Sequence, residues 1–168
     1  MSAYKVVILG DFGVGKTSLV RRYVLDEFTD QYRATLGVHL YKYTEDFNGD
    51  SAPCKLVLWD IEGSTNADKA TAKYLNGASG AIIVGDRSRR DPIAAMREAA
   101  LLFEQHLPGR PVAFALNKSD LGSSSAMEPA KSLANSFSGE LYETSAKTGD
   151  QVPTIFNALA SSILARNV

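Results

Sequence analysis

Residues 10–17, with the sequence GDFGVGKT, combine glycines, a lysine and a threonine at a spacing that suits phosphate binding. Gly13 and Gly15 lack Cβ atoms, so successive backbone N–H groups can point inward and form a cradle for phosphate oxygens. Lys16 would reach the outer phosphates of a nucleotide, and the Thr17 hydroxyl would bind Mg²⁺. We therefore predict a phosphate-binding loop at this position.

The segments on either side of the loop support this prediction. Residues 4–9 form a short run rich in β-branched residues, and residues 18–25 carry apolar side chains at helical spacing. A helix that begins directly after the loop adds the positive end of its dipole to the cradle. The loop thus lies between a predicted strand and a predicted helix, which is the context that this motif requires.

A second group of polar residues follows the apolar run at residues 54–59. Asp60 stands at the end of that predicted strand, and Gly63 follows three positions later. An aspartate at a strand end can hold Mg²⁺ through water, and a glycine N–H can bind a terminal phosphate. Such a pair alone is typical of many turns, but at this spacing from a phosphate-binding loop it indicates part of the same site.

Residues 117–120, with the sequence NKSD, directly follow the predicted strand at residues 111–116. The Asp120 carboxylate can accept two parallel hydrogen bonds from N1–H and the 2-amino group of guanine, whereas adenine presents the wrong donors. The aliphatic part of Lys118 can lie on the ring face, and Asn117 can tie this segment to the phosphate-binding loop. Guanine is therefore the predicted base.

Residues 144–147, with the sequence TSAK, follow one more short predicted strand, so they should lie at the same edge of the sheet. Their backbone N–H groups are candidates to reach the O6 atom of the base. Taken singly, this motif and the one at residues 117–120 are each typical of a turn or a solvated group of charges. Their order along the chain favours a common site.

Alternating strands and helices predict a three-layer α/β/α fold. Strand-like runs occupy residues 4–9, 38–47, 54–59, 81–85, 111–116 and 140–142, and helical patterns occupy residues 18–25, 67–75, 92–106, 128–137 and 152–165. The Asn48-Gly49 pair predicts a hairpin, which makes one edge strand antiparallel. We expect one domain over residues 1–168 with a six-stranded, mostly parallel sheet, and a ligand beyond the carboxyl ends of its strands.

Composition excludes several classes of partner. The chain of 168 residues is 45 % hydrophobic and carries a net charge of −1, which gives no electrostatic reason to expect nucleic acid or an anionic membrane. The single cysteine, Cys54, falls in a strand-like run, where we expect it to be buried and reduced, as in a cytoplasmic protein. The chain has neither a membrane-spanning run nor a prenylatable cysteine, so we expect no direct membrane anchor. We also expect a monomer.

The five motifs together resemble the signature of the Ras-like small GTPases, most nearly the Rab-type branch, over essentially the whole chain. They are found, in the family's order, at residues 10–17, 35–37, 59–63, 117–120 and 145–147. The resemblance implies a P-loop NTPase fold of the G-domain type that binds GTP and GDP with Mg²⁺ and hydrolyses GTP. It also implies that effector and regulator proteins recognise two segments, switch I and switch II.

The resemblance further implies roles for individual residues. Phe28 would pack against guanine, and Thr35 in switch I would complete the Mg²⁺ shell with Thr17 and Asp60, while switch II would span residues 60–75. The implied nucleotide-binding residues are Gly13, Val14, Gly15, Lys16, Thr17, Ser18, Phe28, Thr35, Gly63, Asn117, Lys118, Asp120, Ser145, Ala146 and Lys147. Lys16, Gly63 and Ser64 would stand at the reaction centre.

Three residues depart from the family's pattern. Phe12 replaces a small residue, Glu62 replaces an alanine, and Ser64 replaces the glutamine that orients the attacking water. Serine is too short for that role, and the Phe12 ring would obstruct the arginine that activating proteins supply, which contributes about 10³–10⁵-fold in rate. We therefore expect slow hydrolysis.

Several alternatives remain open from the sequence. Glu62 could repel the γ-phosphate and favour GDP, or Arg33 could act as an internal arginine finger that restores hydrolysis. A scaffold whose bound nucleotide does not cycle is a further hypothesis, whereas a P-loop kinase has no need of residues 117–120.

The remaining charged residues receive no catalytic role. We interpret Arg87, Arg89 and Arg90 as a solvated loop face or a contact for a partner. No function is assigned to His39 or His106, because neither has other metal ligands near it in sequence.

Overall fold

A six-stranded sheet with helices on both faces forms the body of the chain. The computed structural model describes residues 1–31, 35, 37–47, 53–63, 69–122 and 124–167, with only the backbone for residues 69 and 70. The strands are β1 (Ala3–Gly10), β2 (Val38–Glu45), β3 (Cys54–Ile61), β4 (Gly80–Asp86), β5 (Val112–Asn117) and β6 (Glu140–Glu143). The helices are α1 (Lys16–Leu25), α2 (Lys69–Leu75), α3 (Ile93–His106), α4 (Met127–Ser136) and α5 (Val152–Arg166), with a 3₁₀ helix at Ser119–Leu121.

The strand order across the sheet is β2-β3-β1-β4-β5-β6. Strand β2 pairs with β3 in the antiparallel sense, and all other pairs are parallel. Each parallel pair needs a crossover connection, and the helices between the strands provide these connections. The predicted fold class, with its antiparallel edge strand, is confirmed.

Strand β1 is buried on both faces, which explains its continuous apolar sequence. Because successive side chains point to opposite faces, Val6 and Ile8 pack in a cluster with α1 and α5. Val7 and Leu9 pack on the other face, in a cluster with side chains of α2, α3 and α4. The two hydrophobic clusters hold β1 rigidly, and with it the loop that leaves its carboxyl end.

The register of the parallel strands brings the predicted motifs to one edge of the sheet. Ile8 near the end of β1 pairs with Asp60 in β3, and Asp86 at the end of β4 pairs with Asn117 at the end of β5. The segments that leave β1, β3, β4 and β5 therefore start side by side. This alignment is what assembles the site.

Most predicted elements are confirmed, with small changes in their boundaries. Cys54 is buried in β3, as expected. The 3₁₀ helix at Ser119–Leu121 follows Lys118, whose φ of 66° lies in the left-handed region, and the sequence patterns did not predict it. The hairpin turn at residues 48–49 and the first residues of the predicted helix at 67–75 lie outside the described residues. Among the helices described, none has the length and apolarity to cross a bilayer.

Candidate functional site

A cleft of about 680 Å³ opens at the carboxyl edge of the sheet. Most of the residues that the sequence motifs single out line it. They are Gly13, Gly15, Lys16, Thr17, Ser18, Phe28, Thr35, Gly63, Asn117, Lys118, Asp120, Ala146 and Lys147. Val14, Asp60 and Ser145 are buried directly behind the lining and do not form part of the cleft wall.

The predicted phosphate-binding loop joins β1 to α1 in a tight turn. Gly15 has a φ of 99°, and a Cβ atom at this position would collide with the side-chain nitrogen of Asn117, so only glycine fits. Lys16 begins α1 and is only 6 % exposed, and its Nζ donates a hydrogen bond to the Asp11 carbonyl oxygen at 2.8 Å. Burial lowers the pKa of Lys16 to about 8. An ammonium group held in this way is suited to an anionic ligand.

The last residue of β5 and the residue after it are tied to the phosphate-binding loop, as predicted for Asn117. Asn117 Nδ2 donates to the Val14 carbonyl oxygen at 3.0 Å, and Asn117 Oδ1 accepts from the Thr144 hydroxyl at 3.1 Å. Lys118 Nζ donates to the Gly13 carbonyl oxygen at 3.2 Å. Two carbonyl groups of the loop are thus held from the side of β5.

Asp120, which also lines the cleft, is oriented by a neighbouring hydroxyl group. Ser145 Oγ donates to Asp120 Oδ1 at 2.8 Å. The backbone N–H of Thr144 donates to the Leu116 carbonyl oxygen and that of Ser145 to the Asp150 carbonyl oxygen. The expectation that N–H groups of residues 144–147 face a base is therefore wrong for these two residues, whose amides pair within the fold.

Three oxygen-bearing side chains meet between α1, residue 35 and β3. Thr17 Oγ1 lies 2.6 Å from Thr35 Oγ1 and donates to Asp60 Oδ2 at 2.6 Å. Asp60 Oδ1 is buried and has no hydrogen-bond partner among the residues described. Burial raises the pKa of Asp60, although the Thr17 hydrogen bond opposes this shift. Hydroxyl and carboxylate oxygens with one unpaired acceptor fit a hard cation such as Mg²⁺.

Of the three departures from the family's pattern, the structure describes Phe12 and Glu62, and of these two Phe12 lines the cleft. Phe12 is 48 % exposed. A Cβ atom at Gly63 would lie 2.7 Å from Phe12 Cα, so the two backbones are in close contact. Glu62 Oε2 accepts a hydrogen bond from the Gly37 N–H at 3.2 Å, and the Glu62 N–H donates to the Gly37 carbonyl oxygen. Ser64 lies outside the described residues.

Arg87, Arg89 and Arg90 follow β4, and two of them differ from the interpretation as a solvated loop face. Arg87 pairs with Glu143 at 2.6 Å, and Arg89 pairs with Asp11 at 2.8 Å. The interpretation as a solvated face is therefore wrong for these two arginines, whereas Arg90 is exposed. Arg33, the other arginine considered, lies outside the described residues.

Asp86, Arg22 and Arg89 support the site but belong to none of the sequence motifs. The sequence analysis did not assign them to this site. Asp86 is buried at the end of β4 and pairs with Lys118 at 2.8 Å. Burial raises its pKa, but hydrogen bonds from Lys118 and Ser88 outweigh this effect, so the pKa of Asp86 is below its usual value. Its position at a strand end, level with Asn117, is the signal that could have indicated it.

Arg22 of α1 holds the segment that contains Ala146 and Lys147. Its guanidinium group donates to both of their carbonyl oxygens, at 2.7 and 2.6 Å. An arginine on a helix face carries no sequence signal for such a contact with a segment more than 120 positions away. Arg89 is the third such residue.

His39 also lines the cleft, and the described residues contain no group of three or more His, Cys, Asp or Glu side chains that could hold a metal.

Comparison with known proteins identifies the family. The model of the Ras family matches residues 5–165. The chain is 36 % identical over 174 residues to Ras-related protein Rab-32 of Sus scrofa, with 98 % of this chain and 76 % of that protein covered. It is 33 % identical over 175 residues to Ypt/Rab-type GTPase YPT7 of Saccharomyces cerevisiae, with 97 % and 82 % covered. It is also 32 % identical over 166 residues to GTP-binding protein YPTM2 of Zea mays, with 97 % and 81 % covered.

The family match covers all or nearly all of each strand and helix and every motif around the cleft. Similarity to Rab-type relatives extends over almost the full chain. This chain therefore belongs to the Ras family, as a Rab-type small GTPase that binds guanine nucleotide as a switch and hydrolyses GTP.

Proposed function

We propose that this G domain, formed by residues 1–168, holds GTP or GDP with Mg²⁺ in the 680 Å³ cleft and hydrolyses GTP slowly. The observation that carries the proposal is the arrangement of three groups around one cleft. Lys16, Thr17 and Asp120 all line this cleft, and Asp60 accepts a hydrogen bond from Thr17. Phosphates, metal and base of one nucleotide match these groups.

The surroundings of Asp120 support guanine as the base of the bound nucleotide. Asp120 keeps Oδ2 free of the Ser145 hydrogen bond, which is made to Oδ1. A carboxylate oriented in this way can accept hydrogen bonds from both N1–H and the 2-amino group of guanine. Phe28 and Lys118 also line the cleft, and their apolar surfaces could cover the two faces of the base.

The oxygen atoms that meet beside α1 support a site for Mg²⁺. Thr17, Thr35 and Asp60 provide the oxygens, and Asp60 Oδ1 has no partner among the described residues. An ion held by these oxygens would neutralise charge on the phosphates. Thr17 and Thr35 bring together α1 and the loop before β2, so these side chains connect the metal position to switch I.

Replacing Thr17 by alanine removes the hydroxyl that contacts both other oxygens of the metal site. We expect the Mg²⁺ affinity of the GDP-bound protein to fall about 10–100-fold, because a cation ligand is lost. Titration of Mg²⁺ against the GDP dissociation rate measures this effect. Thr154→Ala, at an exposed position of α5, is the matched control. An unchanged Mg²⁺ requirement in Thr17→Ala would contradict the assignment.

Slow hydrolysis is proposed from Phe12, Glu62 and Ser64. The Phe12 side chain is half-exposed and lines the cleft, where it would obstruct an external arginine, and Ser64 is too short to orient water. The Glu62 carboxylate is bonded to the Gly37 N–H, so it connects the end of β3 to switch I. We propose that effector and regulator proteins recognise this joined surface of switch I and switch II on a monomeric protein.

Single-turnover hydrolysis of Mg²⁺-GTP tests the proposed rate. We expect slow turnover in the wild type, no further loss in Ser64→Ala, and an increase of at least about tenfold in Phe12→Gly/Ser64→Gln, because a positioned side chain again orients the water. Rapid turnover in the wild type would contradict slow hydrolysis and make Arg33→Ala the next variant. Retention of GTP with no turnover would favour the alternative, a scaffold with structural nucleotide, for which the Glu62 contact to Gly37 is the supporting observation.

A further inference from the structure

Three consecutive carbonyl groups of the phosphate-binding loop are each held by a side chain from another segment. Arg89 Nη2 donates to the Phe12 carbonyl oxygen, Lys118 Nζ to that of Gly13, and Asn117 Nδ2 to that of Val14. The last two donors belong to the motif after β5. Arg89 belongs to the turn between β4 and α3 and carries no motif.

A held carbonyl group determines the direction of the N–H in the same peptide unit. In a planar trans peptide the C=O and N–H bonds point in opposite directions. A donor on the Phe12 carbonyl therefore aims the Gly13 N–H away from that donor. Gly13 lines the cleft, whereas Arg89 does not. The Gly13 N–H is thereby directed away from Arg89, toward the side of the loop where a phosphate would bind.

Arg89 is itself held by two carboxylates. Its Nη1 pairs with Asp11 Oδ2 at 2.8 Å, and its Nε lies 3.7 Å from Asp86 Oδ2. The other oxygen of Asp11 accepts the Phe12 N–H at 2.7 Å. The guanidinium group thus bridges the side chain of Asp11 and the backbone of Phe12, and both peptide groups of Phe12 are bonded.

We propose that Arg89 is a positioning residue of the nucleotide site: by bridging the Asp11 carboxylate and the Phe12 carbonyl, it aims the Gly13 N–H at the bound phosphates. This inference rests on the proposed function. An exposed ion pair alone contributes little, but a planar guanidinium that spans two acceptors adds direction as well as charge. The proposal therefore depends on the bridge and not on positive charge near the loop.

Dissociation of a fluorescent GDP analogue from Mg²⁺-loaded protein tests this role. We expect Arg89→Ala to release the analogue about tenfold faster, since one charge-assisted hydrogen bond no longer orients the loop. Hydrogen exchange of the Gly13 amide in the loaded protein should accelerate in parallel. Arg90→Ala, at the exposed neighbouring position, is the matched control and should leave both rates unchanged.

Two further variants separate the bridge from a general effect on folding. Arg89→Lys keeps the charge but cannot span both acceptors, so we expect a dissociation rate between those of the wild type and Arg89→Ala. This variant also replaces Arg89→Ala if the latter does not fold. The effects of Arg89→Ala and Asp11→Ala should combine to less than their product, because both remove the same bridge.

A dissociation rate in Arg89→Ala within twofold of the wild type would overturn the inference. A wild-type dissociation rate in Arg89→Lys would also overturn it. So would a double variant, Arg89→Ala with Asp11→Ala, whose rate increase equals the product of the two single increases. In these cases the wild type still binds GDP, and the proposed function stands. A wild-type chain that binds no GDP would overturn the proposed function and this inference together.

Discussion

Replacement of Lys16 by methionine is expected to stabilise the nucleotide-free protein and to remove its affinity for nucleotide. Lys16 is 6 % exposed, and burial lowers its pKa to about 8 from the usual 10.5. Each unit of this shift corresponds to about 1.4 kcal/mol, so the charged side chain costs the fold about 3 kcal/mol at neutral pH. Methionine has a similar length and no charge. Because the hydrogen bond to the Asp11 carbonyl is also lost, we expect a net gain of about 1–2 kcal/mol.

Lys16→Met is expected to weaken nucleotide binding, although it stabilises the nucleotide-free fold. The Lys16 ammonium is the cation at the predicted phosphate end of the cleft. Loss of its charge-assisted hydrogen bonds to phosphate should weaken GDP binding by at least about 100-fold. Thermal unfolding of EDTA-treated protein and calorimetric titration with GDP measure the two effects separately. A buried lysine with a purely structural role would change stability without changing GDP affinity.

The stability difference should depend on pH. At pH values below about 8 the folded wild type carries a proton on Lys16, and the cost of burying the charge is present in full. Between about 8 and 10.5 the folded protein loses this proton while the unfolded chain keeps it, so the cost decreases as the pH rises. The advantage of Lys16→Met should therefore shrink over this interval. Lys131→Met, at a half-exposed lysine, is the matched control.

Substitution of Asp120 by asparagine is expected to change the preferred base from guanine to xanthine. Asparagine offers one acceptor and one donor, whereas the guanine edge presents two donors, so one hydrogen bond is lost and two donors face each other. Xanthine has an oxygen in place of the 2-amino group and matches asparagine. The Ser145 hydroxyl can still donate to the side-chain oxygen at position 120, so the side chain keeps its orientation.

We expect GDP affinity to fall about 100–1,000-fold in Asp120→Asn, because the site loses hydrogen bonds to a charged group. Xanthosine diphosphate affinity should rise at the same time. Competition of GDP, xanthosine diphosphate and ADP for the site measures both changes. Glu128→Gln makes the same chemical change at an exposed carboxylate and should alter neither affinity. An equal loss of affinity for all three nucleotides would indicate damage to the fold. An unchanged preference for GDP over xanthosine diphosphate would contradict base recognition by Asp120.

The fold was accessible from local patterns because its elements have strong and separate signals. A strand buried on both faces must be apolar throughout, as residues 6–9 of β1 are, and a loop that requires positive φ at Gly15 accepts only glycine. Parallel strands joined by helices bring their carboxyl ends to one edge. The order of motifs and of strands and helices along the chain was therefore sufficient to predict that Lys16, Thr17 and Asp120 lie at one edge of the sheet, where they line the cleft.

The contacts that support those residues depend on the three-dimensional arrangement. Arg89 reaches Asp11 across 78 positions, and Arg22 reaches Ala146 across 124. A long side chain on a loop or a helix face has the same sequence pattern whether it meets solvent or a carbonyl oxygen. The outcome is decided by the register of β4 against β1 and β5 and by the packing of α1 beside the segment after β6. For this reason the residues proposed to bind nucleotide were predictable from motifs, whereas the contacts of Arg22 and Arg89 were visible only in the folded chain.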